Sequence, residues 1–185
     1  MRCLKETLVT ERLVLRPLRL NDVESYHRVI DEDPKNAGAI SLAQRRDLVH
    51  SYVQNDMLNG ALGWWAIVLR SSNCFIGRCG VDPYVADFVR IAEPSLQGPH
   101  NRVEVELAYH IDAGLRRRGF AYEACSSLVA YSFEQTKLPR LVSVTSRTNT
   151  ASQALMMKLG FRMYENSHPE YQGDAVGVLE NDRLR

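Results

Sequence analysis

The residues of clearest chemical interest form a short run of arginine and glycine. Arg116, Arg117 and Arg118 precede Gly119, between a strand expected to end at Ile111 and a helix expected to begin at Gly119. Backbone N–H groups at a helix start lack intrahelical partners, and with the helix dipole they favour an anion such as a phosphate. Glycine allows close approach of the main chain, and arginine adds charge for phosphate oxygens. The run predicts an anion site, with a solvated basic turn as the alternative.

A second group of candidates lies on the preceding strand, 103–111. A period of two places Glu104, Glu106, Ala108 and His110 on one face. The other face is expected to be core and holds Val103, Val105, Leu107, Tyr109 and Ile111. A carboxylate or an imidazole can act as a general base, so Glu106 and His110 are candidates. The alternatives are an exposed acidic face and a packing histidine.

A third segment has clear helix boundaries. Asn149 is a typical N-cap residue, Gly160 is typical of the position after a helix end, and Phe161 begins the next strand. Ser152 lies in the first turn of this helix, where a serine is often simply a surface residue.

The elements that must position these residues follow from hydrophobic periodicity. Strands are expected at 12–18, 64–69, 75–81, 103–111, 141–146, 161–165 and 175–179. Helices are expected after an N-cap at Asn21 or Asp22, and over 41–58, 119–135 and 149–159. The long connection 83–102 is typical of a functional or mobile segment. The order indicates a mixed α/β fold.

Length and composition narrow the class of protein. The chain has 185 residues, 45% hydrophobic and 24% charged, so we expect one domain. A net charge of +1 gives no bulk reason to expect nucleic acid or a membrane surface as partner. Residues 1–10 lack the apolar core of a signal peptide, and no apolar run approaches about 18 residues. The four cysteines lack zinc spacing, which favours reduced, mostly buried thiols in a cytoplasmic protein.

Several segments together resemble one family. Arg116-x-x-Gly119-x-Ala121 matches the Q/R-x-x-G-x-G/A pyrophosphate loop of GNAT acetyltransferases, and 148–161 resembles their N-x-x-S/A…K-L-G-F segment. Residues 11–17, 105–111 and 171–174 resemble the RimJ/RimL-like branch, although Ala108 replaces a usual glycine and a later aspartate is missing. The resemblance covers most of the chain and fails over 83–102.

The resemblance implies a mixed, mostly antiparallel central sheet of about seven strands flanked by about four helices. It implies a single N-acetyltransferase domain over 1–185, with an inserted loop at 83–102. The cosubstrate would be acetyl-CoA, without a metal, and the acceptor a primary amine of a small molecule or a protein N-terminus. The implied cofactor-binding residues are Ile111, Arg116, Arg117, Arg118, Gly119, Phe120, Ala121, Asn149 and Ser152.

The same resemblance suggests roles in the reaction. An attacking amine must lose a proton, and the tetrahedral oxyanion needs donors, which the family places on the strand ending near Ile111. Glu106 occupies the family's acidic position and is the first choice of base, with His110 second. Met156 stands where many members have a tyrosine that acts as general acid, so Ser152 becomes the candidate general acid.

Other readings stay open at this point. The departures at Ala108 and Met156 leave a weak or inactive CoA-binding regulatory or scaffold protein as the alternative. An unrelated nucleotide-binding domain would need glycine motifs that are missing. The sequence specifies neither the identity of the acceptor nor whether the chain forms a homodimer. An acceptor cleft or the core would use the aromatic residues Trp64, Trp65, Tyr84 and Phe88. A cationic amine would be attracted by Asp82, Asp87, Glu93 and Glu104, unless these are merely solvated.

Overall fold

A computed structural model describes residues 6–35, 38–59, 61–86, 102–165 and 174–184. Its strands are β1 Leu8–Val9, β2 Leu13–Pro17, β3 Gly63–Leu69, β4 Phe75–Ala86, β5 Arg102–Ile111, β6 Arg140–Ser146, β7 Arg162–Glu165 and β8 Asp174–Glu180. Its helices are α1 Val23–Tyr26, α2 Leu42–Asn59, α3 Phe120–Gln135 and α4 Thr150–Lys158. Short 3₁₀ turns cover Leu20–Asp22, Ala113–Leu115 and Asp182–Leu184, and a π turn covers His27–Asp31.

The strands form one sheet in the order β1-β2-β3-β4-β5-β6-β8-β7. Strand pairs β1–β2, β2–β3, β3–β4, β6–β8 and β7–β8 are antiparallel, whereas β5 and β6 run parallel. The expected mixed, mostly antiparallel sheet with four helices is therefore confirmed. The additional strand, β1, has two residues, too few for a periodic signal in the sequence.

By internal contacts the chain divides into two compact units, residues 1–81 with 109–135 and residues 82–108 with 136–185. In the first unit, β2 alternates as expected, because Leu13 and Leu15 are both fully buried. Leu15 pairs with Ile67 of β3, which is equally buried. A cluster beneath α1 and α2 contains Leu18, Val23, Tyr26, Val29, Ile30, Val49, Ala66, Val68 and Phe75.

The start of the first helix differs from the expectation. Asp22 makes no side-chain cap for α1. Its carboxylate accepts the Arg19 N–H at 2.8 Å and both guanidinium nitrogens of Arg16 at 2.7 Å. By accepting the Arg19 N–H, the carboxylate of Asp22 closes the preceding 3₁₀ turn, so the helical path begins one turn earlier than predicted.

The buried face of α2 is irregular. Leu42 and Leu48 are 38% and 40% exposed, whereas Val49 is fully buried. Arg45 takes an inward position, because its guanidinium binds Asp31 at 2.6 and 2.7 Å and lies 4.5 Å from the centre of the Tyr26 ring. Pairing and ring contact stabilise a buried cation that a hydrophobic pattern cannot anticipate.

In the second unit, β6 lies between β5 and β8, and Val142, Val176 and Val178 form its core. Two expectations for β5 are wrong. Val103 is 72% exposed rather than core. Glu104 is buried, not an exposed attractor for amines, because Arg140 binds both of its carboxylate oxygens at 2.7 and 3.0 Å.

The expected connection 83–102 is shorter than predicted, because β4 continues to Ala86 and β5 begins at Arg102. Residues 87–101 lie outside the described residues. Cys79 and Cys125 are buried, Cys74 is exposed, none of these three forms a disulfide, and Cys3 is not described. No helix in the described ranges is both long and apolar enough to cross a bilayer.

Candidate functional site

The arginine–glycine run of the first unit links β5 to α3 through one 3₁₀ turn. Asp112 closes that turn, since its Oδ1 accepts the Gly114 N–H at 2.9 Å. The main chain then adopts positive φ twice, +58° at Arg117 and +83° at Gly119. A non-glycine residue at positive φ is uncommon and needs support from its surroundings. The link is therefore a sharply turned loop rather than a plain helix start.

The loop delivers the chain to the N-terminus of α3, a helix of 16 residues. The Glu123 N–H donates to the Gly119 carbonyl at 3.0 Å. The Phe120 and Ala121 amides come before this bond, so no helical carbonyl lies four residues behind them inside the helix. Phe120 is buried and Gly119 exposed, which leaves the main chain at Gly119 accessible. This arrangement suits an anion.

The three arginines of the run have different surroundings. Arg116 is half-buried, donates from Nε to the Ile111 carbonyl at 3.1 Å and pairs through Nη2 with Asp33. Arg117 and Arg118 are exposed. The guanidinium of Arg116 thus ties the end of β5 to the loop, and the exposed charges are those of its two neighbours.

His110 belongs to the same cluster. Its Nε2 lies 3.0 Å from Asp33 Oδ2 and 3.3 Å from Arg116 Nη2, and the Asp33 side chain is only 2% exposed. Burial lowers the pKa of His110, and the positive charge of Arg78 lowers it further. The imidazole is therefore neutral near pH 7, but it is already engaged by neighbouring side chains.

Asp33 was not anticipated from the sequence. It stands in Glu32-Asp33-Pro34, which has the composition of an ordinary exposed turn. Its carboxylate also accepts the Lys35 N–H at 3.0 Å. Only the fold shows that this turn meets His110 and Arg116, and no local signal could have indicated it.

Glu106, Ser152 and Asn149 lie in the second unit. Glu106 is half-buried on β5, and its Oε1 accepts the Val144 N–H of β6 at 3.3 Å. Asn149 caps α4, since its Oδ1 accepts the Ser152 N–H at 3.2 Å, as the sequence predicts. The cap fixes the amide plane of Asn149 and the first-turn position of Ser152.

Met156, at the position where many family members have a tyrosine, is part of the core. Met156 is 1% exposed, and a Cβ added to Gly177 would lie 3.1 Å from its sulfur atom. Gly160 follows α4 with φ of +96°, consistent with the predicted helix end.

The aromatic candidates for an acceptor cleft have separate environments. Trp65 is fully buried and meets Tyr131 edge-on, with ring centres 5.4 Å apart, so it serves the core. Trp64 is half-buried beneath the guanidinium of Arg78, 3.9 Å from the ring centre. In the second unit, Tyr84 packs on the valine cluster of β6 and β8. Phe88, Asp87 and Glu93 lie outside the described residues.

The predicted site residues therefore form two groups. Ile111, His110 and the arginine–glycine loop are joined within the first unit, and Glu106, Asn149 and Ser152 belong to the second. Within the described ranges, no three His, Cys, Asp or Glu side chains are grouped in a way that could hold a metal ion.

Comparison with known proteins gives a consistent result. The profile of the acetyltransferase (GNAT) domain matches residues 12–162. The uncharacterized N-acetyltransferase YoaA of Bacillus subtilis is 26% identical, with 94% of this chain and 96% of that protein covered.

Solved structures share the fold. An acetyltransferase from Agrobacterium tumefaciens has a TM-score of 0.71 and 26% identity, covering 95% of this chain and 94% of that one. RimL, a ribosomal-protein α-N-acetyltransferase in complex with coenzyme A, has a TM-score of 0.71 at 15% identity, covering 95% of this chain and 98% of its own. The family profile spans both β5 and α4, with the loop between β5 and α3. The chain belongs to the GNAT acetyltransferase family and is an acyltransferase.

Proposed function

We propose that this chain is a single N-acetyltransferase domain that moves the acetyl group of acetyl-CoA to a primary amine. The observation that carries the proposal is the loop before α3, with its positive φ at Arg117 and Gly119 and its helical amides at Phe120 and Ala121. A CoA diphosphate has the charge and size that such a cradle of main-chain donors binds. The complex of RimL with coenzyme A supports this choice of cosubstrate.

Gly119 is the residue on which the fit depends most. A Cβ built at this position would lie 3.3 Å from Arg12 Nη2, and the backbone φ of +83° disfavours every L side chain. Arg117 and Arg118 supply exposed positive charge beside the loop. Arg116 and Ile111 contribute by holding the loop to the end of β5. The loop therefore offers main chain and charge together.

The reaction consists of attack by a neutral amine nitrogen on the thioester carbon. A C–N bond forms, a tetrahedral oxyanion develops, and the C–S bond then breaks to release the CoA thiolate. The amine loses one proton to a base, and the thiolate gains one from an acid. Asn149 is proposed to contact the pantetheine arm through its amide nitrogen, since its oxygen caps α4.

Glu106 remains the proposed base and Ser152 the proposed acid. Glu106 is half-buried and already accepts the Val144 N–H, which holds its carboxylate in one orientation. His110 is the other candidate base. Its contacts with Asp33 and Arg116 favour a role in holding the loop instead. Because Met156 is buried, no acid is proposed at its position.

Within the family we place the chain in the RimJ/RimL-like branch, which rests on the motifs at 11–17 and 105–111. The acceptor would be a protein N-terminal amine or a small-molecule amine. A cytoplasmic location stays a prediction from the sequence.

The test is thiol release from acetyl-CoA in the presence of an amine panel that contains peptides, amino acids and polyamines. The proposal predicts release that depends on one amine class and yields its N-acetyl product. CoA binding without amine-dependent release, for every amine class, would instead support the CoA-binding scaffold.

A further inference from the structure

We infer that Arg12 and Glu123 are positioning residues for the diphosphate of the cosubstrate: Glu123 fixes the Arg12 side chain, and Arg12 holds the loop at 118–120 in its binding conformation. The inference rests on the proposed function, and it assigns a role to residues outside the loop motif. All of the residues concerned lie in the first unit.

Glu123, in the first turn of α3, binds the turn between β1 and β2 through both of its oxygens. Oε1 accepts the Thr10 hydroxyl at 2.6 Å and the Arg12 N–H at 2.8 Å, and Oε2 accepts Arg12 Nε at 2.7 Å. Three donors from one short turn fix the carboxylate and, through Nε, the plane of the guanidinium.

The fixed guanidinium then contacts the residues on both sides of Gly119. Arg12 Nη1 donates to the Arg118 carbonyl at 3.0 Å, and the group lies 4.5 Å from the centre of the Phe120 ring. Nη2 lies 3.3 Å from the point where a Cβ on Gly119 would stand. Arg118 approaches the same Phe120 ring at 5.4 Å. One side chain thus spans the positive-φ residue and both of its neighbours.

The loop needs such support. A non-glycine residue at positive φ, such as Arg117 in this loop, costs free energy and persists only where the surroundings over-determine it. A loop held before the ligand arrives binds more tightly, because less conformational entropy is lost on binding. Arg12 supplies that restraint from the turn between β1 and β2, far away in sequence.

The charges of Glu123 and Arg12 are a second reason to assign a positioning role to this pair. Glu123 places a carboxylate at the N-terminus of α3, where it would repel a diphosphate if it stood alone. Burial raises the pKa of Glu123, but hydrogen bonds from Thr10 and Arg12 outweigh this effect and leave the pKa below its usual value. Glu123 is therefore ionised at neutral pH, and the guanidinium of Arg12 offsets its charge beside the loop.

A plain surface ion pair is the competing explanation, since the Arg12 side chain is 42% exposed. Exposed pairs contribute little to stability or to ligand binding. Arg147 and Glu165, at 2.9 Å in the second unit, form such an exposed pair and serve as a matched control.

The experiment compares Arg12→Ala, Glu123→Gln and the control Arg147→Ala with the wild type. CoA affinity is measured by calorimetry, KM for acetyl-CoA and for the amine by steady-state kinetics, and Tm by thermal melting. We expect Arg12→Ala, which loses the contact with the loop and leaves the Glu123 charge uncompensated, to raise Kd for CoA and KM for acetyl-CoA by about tenfold or more. Glu123→Gln loses the restraint on Arg12 but also removes a repelling charge, so both constants should rise by a smaller factor. KM for the amine and kcat at saturation should stay within about twofold.

A second pair of variants separates positioning from general stability. Thr10→Ser keeps the hydroxyl that donates a hydrogen bond to Glu123, and Thr10→Val removes that hydroxyl. Thr10→Ser should behave as wild type, and Thr10→Val should shift KM for acetyl-CoA alone. Wild-type CoA affinity in both Arg12→Ala and Glu123→Gln would overturn this inference and leave the proposed function intact. Equal losses in every kinetic constant would also overturn it, and a wild type without CoA binding would overturn both.

Discussion

At the residue scale, environment decides what a titratable side chain can do. His110 has the side chain best suited by type to proton transfer near neutral pH. Its Nε2, however, lies 3.0 Å from the buried carboxylate of Asp33, and Arg116 binds the same carboxylate. The imidazole, carboxylate and guanidinium form a cluster that joins the end of β5 to the turn after the first helix. Glu106 lies outside this cluster, and its Oε1 accepts the Val144 N–H of β6 at 3.3 Å.

The cluster predicts a pH dependence of stability. Burial lowers the pKa of His110 below its ordinary 6.5 in the folded protein. Below pH 6.5 the unfolded chain therefore binds a proton that the folded chain does not. The free energy of unfolding should fall as pH drops from 6.5 toward the folded-state pKa, and it should fall less steeply in His110→Gln. Urea denaturation on both sides of pH 6.5 measures this difference, and identical pH slopes for the two proteins would refute it.

Glu106→Gln tests the proposed base. The substitution keeps an oxygen for the Val144 N–H but removes the ability to accept a proton. Turnover at neutral pH should fall by about 10²- to 10⁴-fold, the usual worth of a general base, with CoA affinity unchanged. Glu165→Gln, an exposed carboxylate on β7, is the control. Wild-type kcat in Glu106→Gln would remove Glu106 from the mechanism.

At the element scale, close approach of β4 and β5 within the first unit is as important as the loop itself. Gly77 of β4 lies so near to β5 that a Cβ would stand 2.1 Å from the His110 carbonyl oxygen. The Ile76 carbonyl accepts the Asp112 N–H at 2.8 Å just beyond the strand end. These contacts fix the point where β5 leaves the sheet and the loop toward α3 begins.

Gly77→Ala should therefore destabilise the protein. The backbone carbonyl of His110 cannot move aside as a flexible side chain would, so the strands must separate. We expect a loss of more than about 2 kcal/mol in the free energy of unfolding, measured by denaturant titration. Gly114→Ala is the matched control, because its Cβ would lie 3.4 Å from Asp112 Oδ1, an ordinary contact. Equal midpoints for the two variants would show that the strands yield without cost.

At the scale of the whole molecule, the sequence predicts those features whose cause is local. Asn149 and Gly160 mark both ends of α4, and the alternation of Leu13 and Leu15 marks β2. The glycine loop is predicted in the same way, since its residue types and its place before a helix are adjacent in the chain.

The predictions that fail do so because the decisive contacts join residues that are far apart in the sequence. Glu104 is buried because Arg140 reaches it from β6, and Asp33 enters the site because Arg116 and His110 meet it in the fold. Pairings of this kind depend on tertiary structure and leave no periodic trace in the sequence. The likeness of the chain to GNAT proteins supplies the order of the elements, but not these contacts.

Residues 83–102 are predicted to govern acceptor choice, because this predicted insertion is the part of the chain where the family resemblance fails. Replacing residues 88–100 by a short glycine-serine linker should change which amines are acetylated and leave CoA affinity as in the wild type. The amine panel measures the acceptor profile, and calorimetry measures the affinity for CoA. An unchanged acceptor profile would contradict the prediction.

The central claim is that the main chain at 116–121 binds the CoA diphosphate, and calorimetric titration with CoA tests it most directly. The account predicts saturable binding by the wild type and by Gly114→Ala. It predicts loss of binding by Gly119→Val, because a valine side chain disfavours the backbone φ of +83° that position 119 has. The far-UV circular dichroism spectrum of this variant should be unchanged. Equal affinity in Gly119→Val, or no uptake of CoA by the wild type at millimolar concentration, would contradict the account.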